Sequence, residues 1–219
     1  SKGDQVRLAV TRTYKAPSSG SLIPRGFRSL NNSSSEPDYL GNPLLKPELA
    51  LGVDASYEHY WAEGALLSVN VSAREIDDYT RSGLVLRQDG RWVVMPVDKG
   101  KAHSRTIELE AKCPRKAVIK DAPAIDLRAN IARNWSSVDA VPGPNNRLDN
   151  QTPVSANFGF DYKQGALTTG ASFNFANGGF VRVSDEQTRY QTVKRDLEAY
   201  VLWKFSPKTQ LRVAASNIL

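Results

Sequence analysis

The chain has 219 residues, 29 Lys and Arg against 23 Asp and Glu, a formal charge of +6 and 40% apolar residues. No run approaches the roughly 18 to 20 apolar residues of a membrane-spanning helix; the mean hydropathy of −0.44 would suit a soluble protein, but a strand alternating apolar and polar residues keeps that mean low even in a membrane. The basic residues are scattered rather than gathered in blocks, which argues against nucleic acid as a partner, and the single cysteine, Cys113, excludes an internal disulfide.

His59 and His103 are isolated from each other and from cysteine, a poor basis for a metal site, and no cofactor is expected. The first residues, Ser1-Lys2-Gly3-Asp4, carry no charged-then-apolar leader, so the chain reads as either cytoplasmic or cut from something longer.

In chain order the dominant period is two. Leu67, Val69, Val71 and Ala73 alternate with Ser68, Asn70, Ser72 and Arg74, and Ile125, Leu127, Ala129 and Ile131 with Asp126, Arg128, Asn130 and Ala132. Val154 to Tyr162, Leu167 to Phe175 and Leu197 to Phe205 split the same way. Such alternation places apolar side chains on one face of a sheet and polar ones on the other. It predicts nine long strands, over about 4–14, 49–61, 65–87, 91–112, 124–138, 153–163, 166–178, 193–205 and 209–218. Eleven residues at roughly 3.3 Å, tilted about 45°, rise on the order of 25 Å, the height of a membrane barrel's apolar band.

The connections are of two kinds. Short ones fall at 62–64, 164–165 and 206–208, with a medium one at 113–123, and long ones at 15–48, 139–152 and 179–192; the arms 65–87 and 91–112 turn at Gln88-Asp89-Gly90 on the long-loop side. Short turns on one side and long loops on the other are the pattern of outer-membrane barrels. A soluble β-sandwich would alternate in the same way, but strand length, loop asymmetry and a polar face carrying Asp54, Glu58, Arg74, Glu108, Glu110, Arg128, Asp161, Glu198, Lys204 and Arg212 in mid-strand favour the barrel. Trp61, Trp135, Trp203, Tyr57 and Tyr162 lie toward strand ends, where aromatic girdles sit. Nine is an odd number, whereas single-chain bacterial barrels close with an even one.

The segment Tyr39-Leu40-Gly41-Asn42-Pro43-Leu44-Leu45-Lys46-Pro47-Glu48 resembles the Gly-Asn-Pro-x-Leu-Lys-Pro-Glu run that ends a long extracellular loop in TonB-dependent outer-membrane receptors. Arg12-Thr13-Tyr14-Lys15-Ala16-Pro17-Ser18 is similar to that family's start of the same loop. Ala73 to Tyr79, the stretch Pro96 to Ala102 with Ile107-Glu108-Leu109-Glu110, and Ala214 to Leu219 resemble later landmarks in the same order. There are departures: Asp98 stands for the family's usual Asn and Thr106 for its usual Gly.

The resemblance implies an all-β, antiparallel transmembrane barrel fragment, residues 1–219, whose nine strands are the thirteenth to twenty-first of a twenty-two-stranded barrel, with the plug domain and last strand absent. It implies an outer-membrane location, TonB as partner through the missing N-terminal part, and a scarce extracellular ligand such as a ferric siderophore. A passive porin-like channel and a soluble all-β adhesion domain are the alternatives. No Ser-His-acid set is found, so no catalytic residues and no enzymatic activity are expected.

Two groups of residues stand out. Pro43 and Pro47 fix φ and push the preceding residues toward extended geometry, so Gly41, Asn42, Pro43, Leu45, Lys46, Pro47 and Glu48 are read as a structural lead-in to a strand. Glu108 and Glu110 share one face, and salt bridges to Arg74, Arg128 or Arg212 are expected of them rather than acid–base chemistry. In the long loops Arg25, Arg28, Tyr39, Arg147, Arg182, Arg189 and Tyr190 offer forked donors and flat amphipathic surface suited to an anionic ferric chelate; outer loops can equally meet lipopolysaccharide or water.

Overall fold

The computed structural model describes residues 3–115, 124–183 and 187–219. Its centrepiece is an antiparallel sheet of nine strands: β1 (Gly3–Lys15), β3 (Glu48–Ala62), β4 (Ala65–Asp77), β7 (Ala102–Pro114), β8 (Ala124–Val138), β9 (Val154–Gln164), β10 (Leu167–Ala176), β13 (Lys194–Ser206) and β14 (Thr209–Ala215), each hydrogen-bonded to the next in that order. Residues 116–123, most of the medium connection read at 113–123, lie outside the described residues. The other short connections are two-residue hairpin loops between Ala62 and Ala65, Gln164 and Leu167, and Ser206 and Thr209. Gly165 sits at φ +57°, a conformation that costs a side-chain-bearing residue and not glycine, and so allows the tightest of connections.

Register decides which residues share a face, because directly paired residues point the same way. One face reads, across neighbouring strands, Leu8, Ala55, Val71, Ile107 and Arg133, and farther along Ala129, Phe158, Phe173 and Leu197. Leu67, Val69, Phe160, Val201 and Trp203 belong to this face as well. Asn70, Glu108, Asn157, Ser172 and Glu198 fall on the other face, as do Ser68, Asp161 and Arg212. The period of two thus carries through the wall, with register shifts beside two of the short turns, between His59 and Ala62 and between Lys204 and Ser206.

The apolar face has no second layer over it among the described residues: Leu8 is 77% exposed, Leu109 47% and Val213 62%. A sandwich would bury these side chains against a partner sheet; a single wall leaves them for lipid. Ion pairs occupy the polar face instead. Arg74 reaches Asp54 at 2.8 Å, Arg128 reaches Asp161 at 2.6 Å, and Arg7 pairs with Glu58.

Two expectations are corrected. The arms read as single strands over 65–87 and 91–112 are each broken. Asp78 takes φ +54° and Gly100 φ +69°; Tyr79 N–H donates to Gly100 O at 2.8 Å and Lys99 N–H to Tyr79 O at 2.8 Å. Above this double break the chain re-forms as β5 (Thr80–Leu86) and β6 (Trp92–Asp98), which make a separate small sheet with β2 (Asp38–Tyr39). The partners expected for the paired glutamates also differ. Glu108 accepts from Asn130, while Glu110 takes Lys112 at 2.7 Å. Register is the reason: Glu110 lies opposite Asn130, Arg74 and Arg128 stand beside Asp54 and Asp161, and Arg212 lies over the Tyr200 ring at 5.0 Å.

The small apolar core sits at the long-loop end, where Tyr79, Ala102, Val138 and Val141 pack together with Ile76 and Leu148. Mid-wall residues cannot form a core, since their side chains leave the sheet toward one side or the other.

Candidate ligand-recognition site

The long connections converge at this end and carry structure of their own. The first contains a short helix, α1 (Ser19–Leu22), capped by Ser18, whose Oγ accepts from Ser21 N–H at 3.2 Å. It is bound to β6 by side chains that imitate a strand. Asn32 donates to Trp92 O at 2.8 Å and accepts from Trp92 N–H at 2.7 Å. Arg91 grips both oxygens of Asp38 at 2.7 Å and holds this carboxyl well below the usual carboxylate range.

The Gly41–Glu48 run is the hinge post of this loop. Gly41 passes so close to Ile23 that an added Cβ would lie 2.1 Å from the Ile23 carbonyl oxygen, so only glycine fits. Asn42 donates from Nδ2 to Pro96 O at 3.0 Å and accepts from Leu44 N–H at 3.0 Å; Leu45 is buried. Lys46 approaches Asp78 at 3.9 Å, and Glu48 accepts from Lys15 Nζ and from Thr80 N–H, both at 3.2 Å. Every polar side chain of the run is bonded to neighbouring structure, in keeping with a positioning role.

The Asp98 carboxyl raises the pKa of Asp78, the main cause being the hydrogen bond between them. A raised carboxyl pKa means that this contact stabilises the loop base below the ordinary carboxylate range and loses its effect as pH rises through the Asp78 pKa. Asp98→Asn should therefore slow amide exchange at Tyr79 and Lys99 at neutral pH, since the amide oxygen can still accept from Gly100 N–H, now 2.7 Å from Asp98. The difference from the unsubstituted protein should vanish in acid; a difference that grows in acid would reverse the sign of the argument.

The remaining loops meet at Arg81, which sequence reading passed over. Its side chain is fully buried and every bond it makes is to a loop: Nε and Nη2 to Asp149 Oδ1 at 3.0 and 2.6 Å, Nη2 to Arg147 O at 2.6 Å and Nη1 to Arg182 O at 3.1 Å. Tyr79 Oη accepts from Asp149 N–H at 3.3 Å. Strand alternation marks Arg81 as one more polar residue; nothing local announces its burial.

The seven loop residues proposed to meet ligand fall into two groups. Arg147 and Arg182, through their backbone carbonyls, and Arg189 meet the Arg81–Asp149 pair, and Tyr190 follows Arg189 on the same strand. Arg147 is half-buried, and Nη2 donates to Gly179 O at 3.3 Å and Gln191 Oε1 at 3.2 Å, while burial lowers its pKa. Arg182 N–H donates to Asn145 O at 2.7 Å, and half-exposed Arg189 approaches Asp149 at 3.4 Å. On the ribbon of β11 (Gly179–Arg182) and β12 (Thr188–Gln191), Tyr190 meets Phe180 edge-on at 5.0 Å, both more than half exposed. The second group is on the first loop: Arg25 and Arg28 are exposed on either side of Phe27, which bridges backbone to backbone with Tyr39. Phe27 and Phe180, both exposed, complete an aromatic and cationic surface on each group.

A wall of long antiparallel strands, apolar outside and ion-paired within, with two-residue turns at one end and structured loops at the other, matches one family model, described as TonB dependent receptor-like, beta-barrel, over residues 2–218. The chain belongs to this family. TonB-dependent receptor barrels reside in the outer membrane, and the exposed apolar face is the face that meets its lipid. Among solved structures the chain resembles the ferric enterobactin receptor PfeA of Pseudomonas aeruginosa, with a TM-score of 0.72 and 15% identity, covering 98% of this chain and 32% of that one. It is similar to the siderophore receptor PirA of the same organism at a TM-score of 0.70 and 15% identity, covering 98% and 36%, and to the copper transporter OprC at 0.69 and 13%, covering 98% and 31%. The chain thus spans about a third of the length of these proteins. A search of curated protein sequences finds no match.

Proposed function

We propose that the chain is the C-terminal wall of an energised outer-membrane importer whose ligand is a ferric siderophore. The observation that carries this is the pair of arginine–aromatic groups on loops anchored to the barrel rim, exposed Arg25, Arg28 and Tyr39 on one, and exposed Arg189 and Tyr190 with half-buried Arg147 and Arg182 on the other. Guanidinium groups supply paired donors to carboxylate or phenolate-type oxygens, and aromatic rings supply flat surface for a chelate. Siderophore receptors among the similar structures support the reading.

The wall is part of a larger barrel. β1 and β14 are the sheet's edge strands, and an open edge in hydrocarbon leaves unpaired N–H and C=O groups, each costing several kcal/mol. Further strands complete the ring, and TonB acts through an N-terminal plug in the same parent.

The test is equilibrium binding to the full-length receptor of ferric catecholate, hydroxamate and carboxylate chelates, with Cu²⁺ as contrast. Arg25→Ala, Arg28→Ala and Arg189→Ala should each weaken the bound chelate by about 1–3 kcal/mol if each makes a charge-assisted bond. Binding of Cu²⁺ alone, or of no chelate, would overturn the siderophore assignment.

A further inference from the structure

The lipid-facing side is not uniformly apolar. Near the loop end of β7 and β8, Arg105 and Arg133 project outward: Arg105 pairs with Trp135 and Ala73, and Arg133 with Ile107 and Val154. The two arginines are diagonal neighbours, roughly 7–8 Å apart at the backbone. Both are exposed, and neither has an acidic partner among the described residues. Arg133 lies over the Trp135 ring at 5.4 Å, which steadies its guanidinium. A recess of about 360 Å³ opens beside Arg105, lined by His103, Arg105, Trp135, Ser136 and Ser137; two acids flank His103, Asp139 at 3.4 Å and Glu75 opposite it in the register, the latter paired with Lys101.

Below it on the same face, Ala111, Ala129 and Ala171 form the floor of an apolar trough of about 550 Å³, walled by Phe158, Phe160 and Phe173. Ala129 is four residues from Arg133 along β8, or roughly 13 Å. A cationic pair above a small-residue trough has the polarity of one molecule with a charged head and a hydrocarbon tail. Two unpaired guanidiniums at the border of an apolar band would otherwise be left half-desolvated.

We propose that Arg105 and Arg133 form a binding site for a phosphate-bearing lipid of the outer leaflet, with one acyl chain in the Ala111–Ala129–Ala171 trough. Guanidinium forks match phosphate oxygens with paired donors, and the trough is what separates a lipid from free phosphate. The site is distinct from the loop surface proposed for ligand recognition; it rests on the membrane placement of the apolar face.

The full-length receptor, purified from outer membranes in detergent, is loaded with bis-phosphorylated lipid A and the retained lipid counted by native mass spectrometry. The double variant Arg105→Gln/Arg133→Gln should retain at least tenfold less, while Arg87→Gln at the exposed β5–β6 tip retains the normal amount. Fully dephosphorylated lipid A should bind at least tenfold more weakly to the unsubstituted receptor, and millimolar inorganic phosphate should not displace the lipid. Equal retention by the double variant, equal binding of the dephosphorylated lipid, or displacement by phosphate each overturns the proposal while leaving the barrel assignment intact. A receptor recovered from the soluble fraction would instead overturn the membrane placement. If the double variant fails to reach the membrane, Arg105→Gln and Arg133→Gln singly carry the same comparison.

Discussion

Arg81→Ala should release two outer loops at once. Arg81 is the buried node that receives Asp149 and the backbone carbonyls of Arg147 and Arg182. Its removal leaves Asp149, with a quarter of its side chain exposed, without its principal cation, and strands two carbonyls in a water-poor interior. Breaking a buried pair by deleting one partner costs about 3–5 kcal/mol, and partial access of Asp149 to water argues for the lower end of that range. Because the wall strands hydrogen-bond independently of Arg81, the loss should be local. Amide exchange and protease cleavage should rise across residues 139–152 and 179–183 while the barrel's thermal transition stays in place. Asp149→Asn, which keeps an acceptor for the guanidinium, should have the smaller effect. Unchanged loop protection in Arg81→Ala would mean that the Tyr79–Val138–Val141 cluster alone holds the loops.

Val201→Arg should destabilise the barrel globally by about 2–4 kcal/mol, the cost of an arginine on the lipid face near the bilayer midplane. Val201 lies mid-strand in β13, opposite Thr169 and Val213, between the outward Leu197 and Trp203. Toward the short-turn end, Trp203 stacks with Phe205 at 6.2 Å, as an interfacial girdle does. Urea titration of the full-length receptor refolded into lipid vesicles measures the effect. Asn157→Arg is the control, since Asn157 faces the interior between Asn130 and Asn174 and should tolerate the charge. A cost near zero at Val201, or equal costs at both positions, would mean that the apolar face is not turned to lipid.

The sequence by itself determined the wall. Alternation is a property of adjacent residues, and a one-residue slip would invert every face, so Leu67, Val69 and Val71 could be assigned opposite to Ser68 and Asn70 without any knowledge of their neighbours. The two-residue turns were equally local, being written in Gly165 and the breaks beside it. The Gly41–Glu48 run could be read as a structural element because its prolines restrict the backbone wherever they occur.

What only the tertiary structure decided were the pairings between segments far apart in the chain. Arg74 and Arg128 chose Asp54 and Asp161, not the paired glutamates, because strand register sets which carboxylate lies within reach. The break at Asp78 and Gly100 depends on both arms yielding together, each supplying a hydrogen bond to the other. Arg81 is polar in an alternating strand, indistinguishable by pattern from a lumen residue, and becomes the centre of the loop cluster only because Asp149, 68 positions later, folds back over it. A period of two specifies which side of a sheet a residue occupies; it holds no information about what a long loop will place above it.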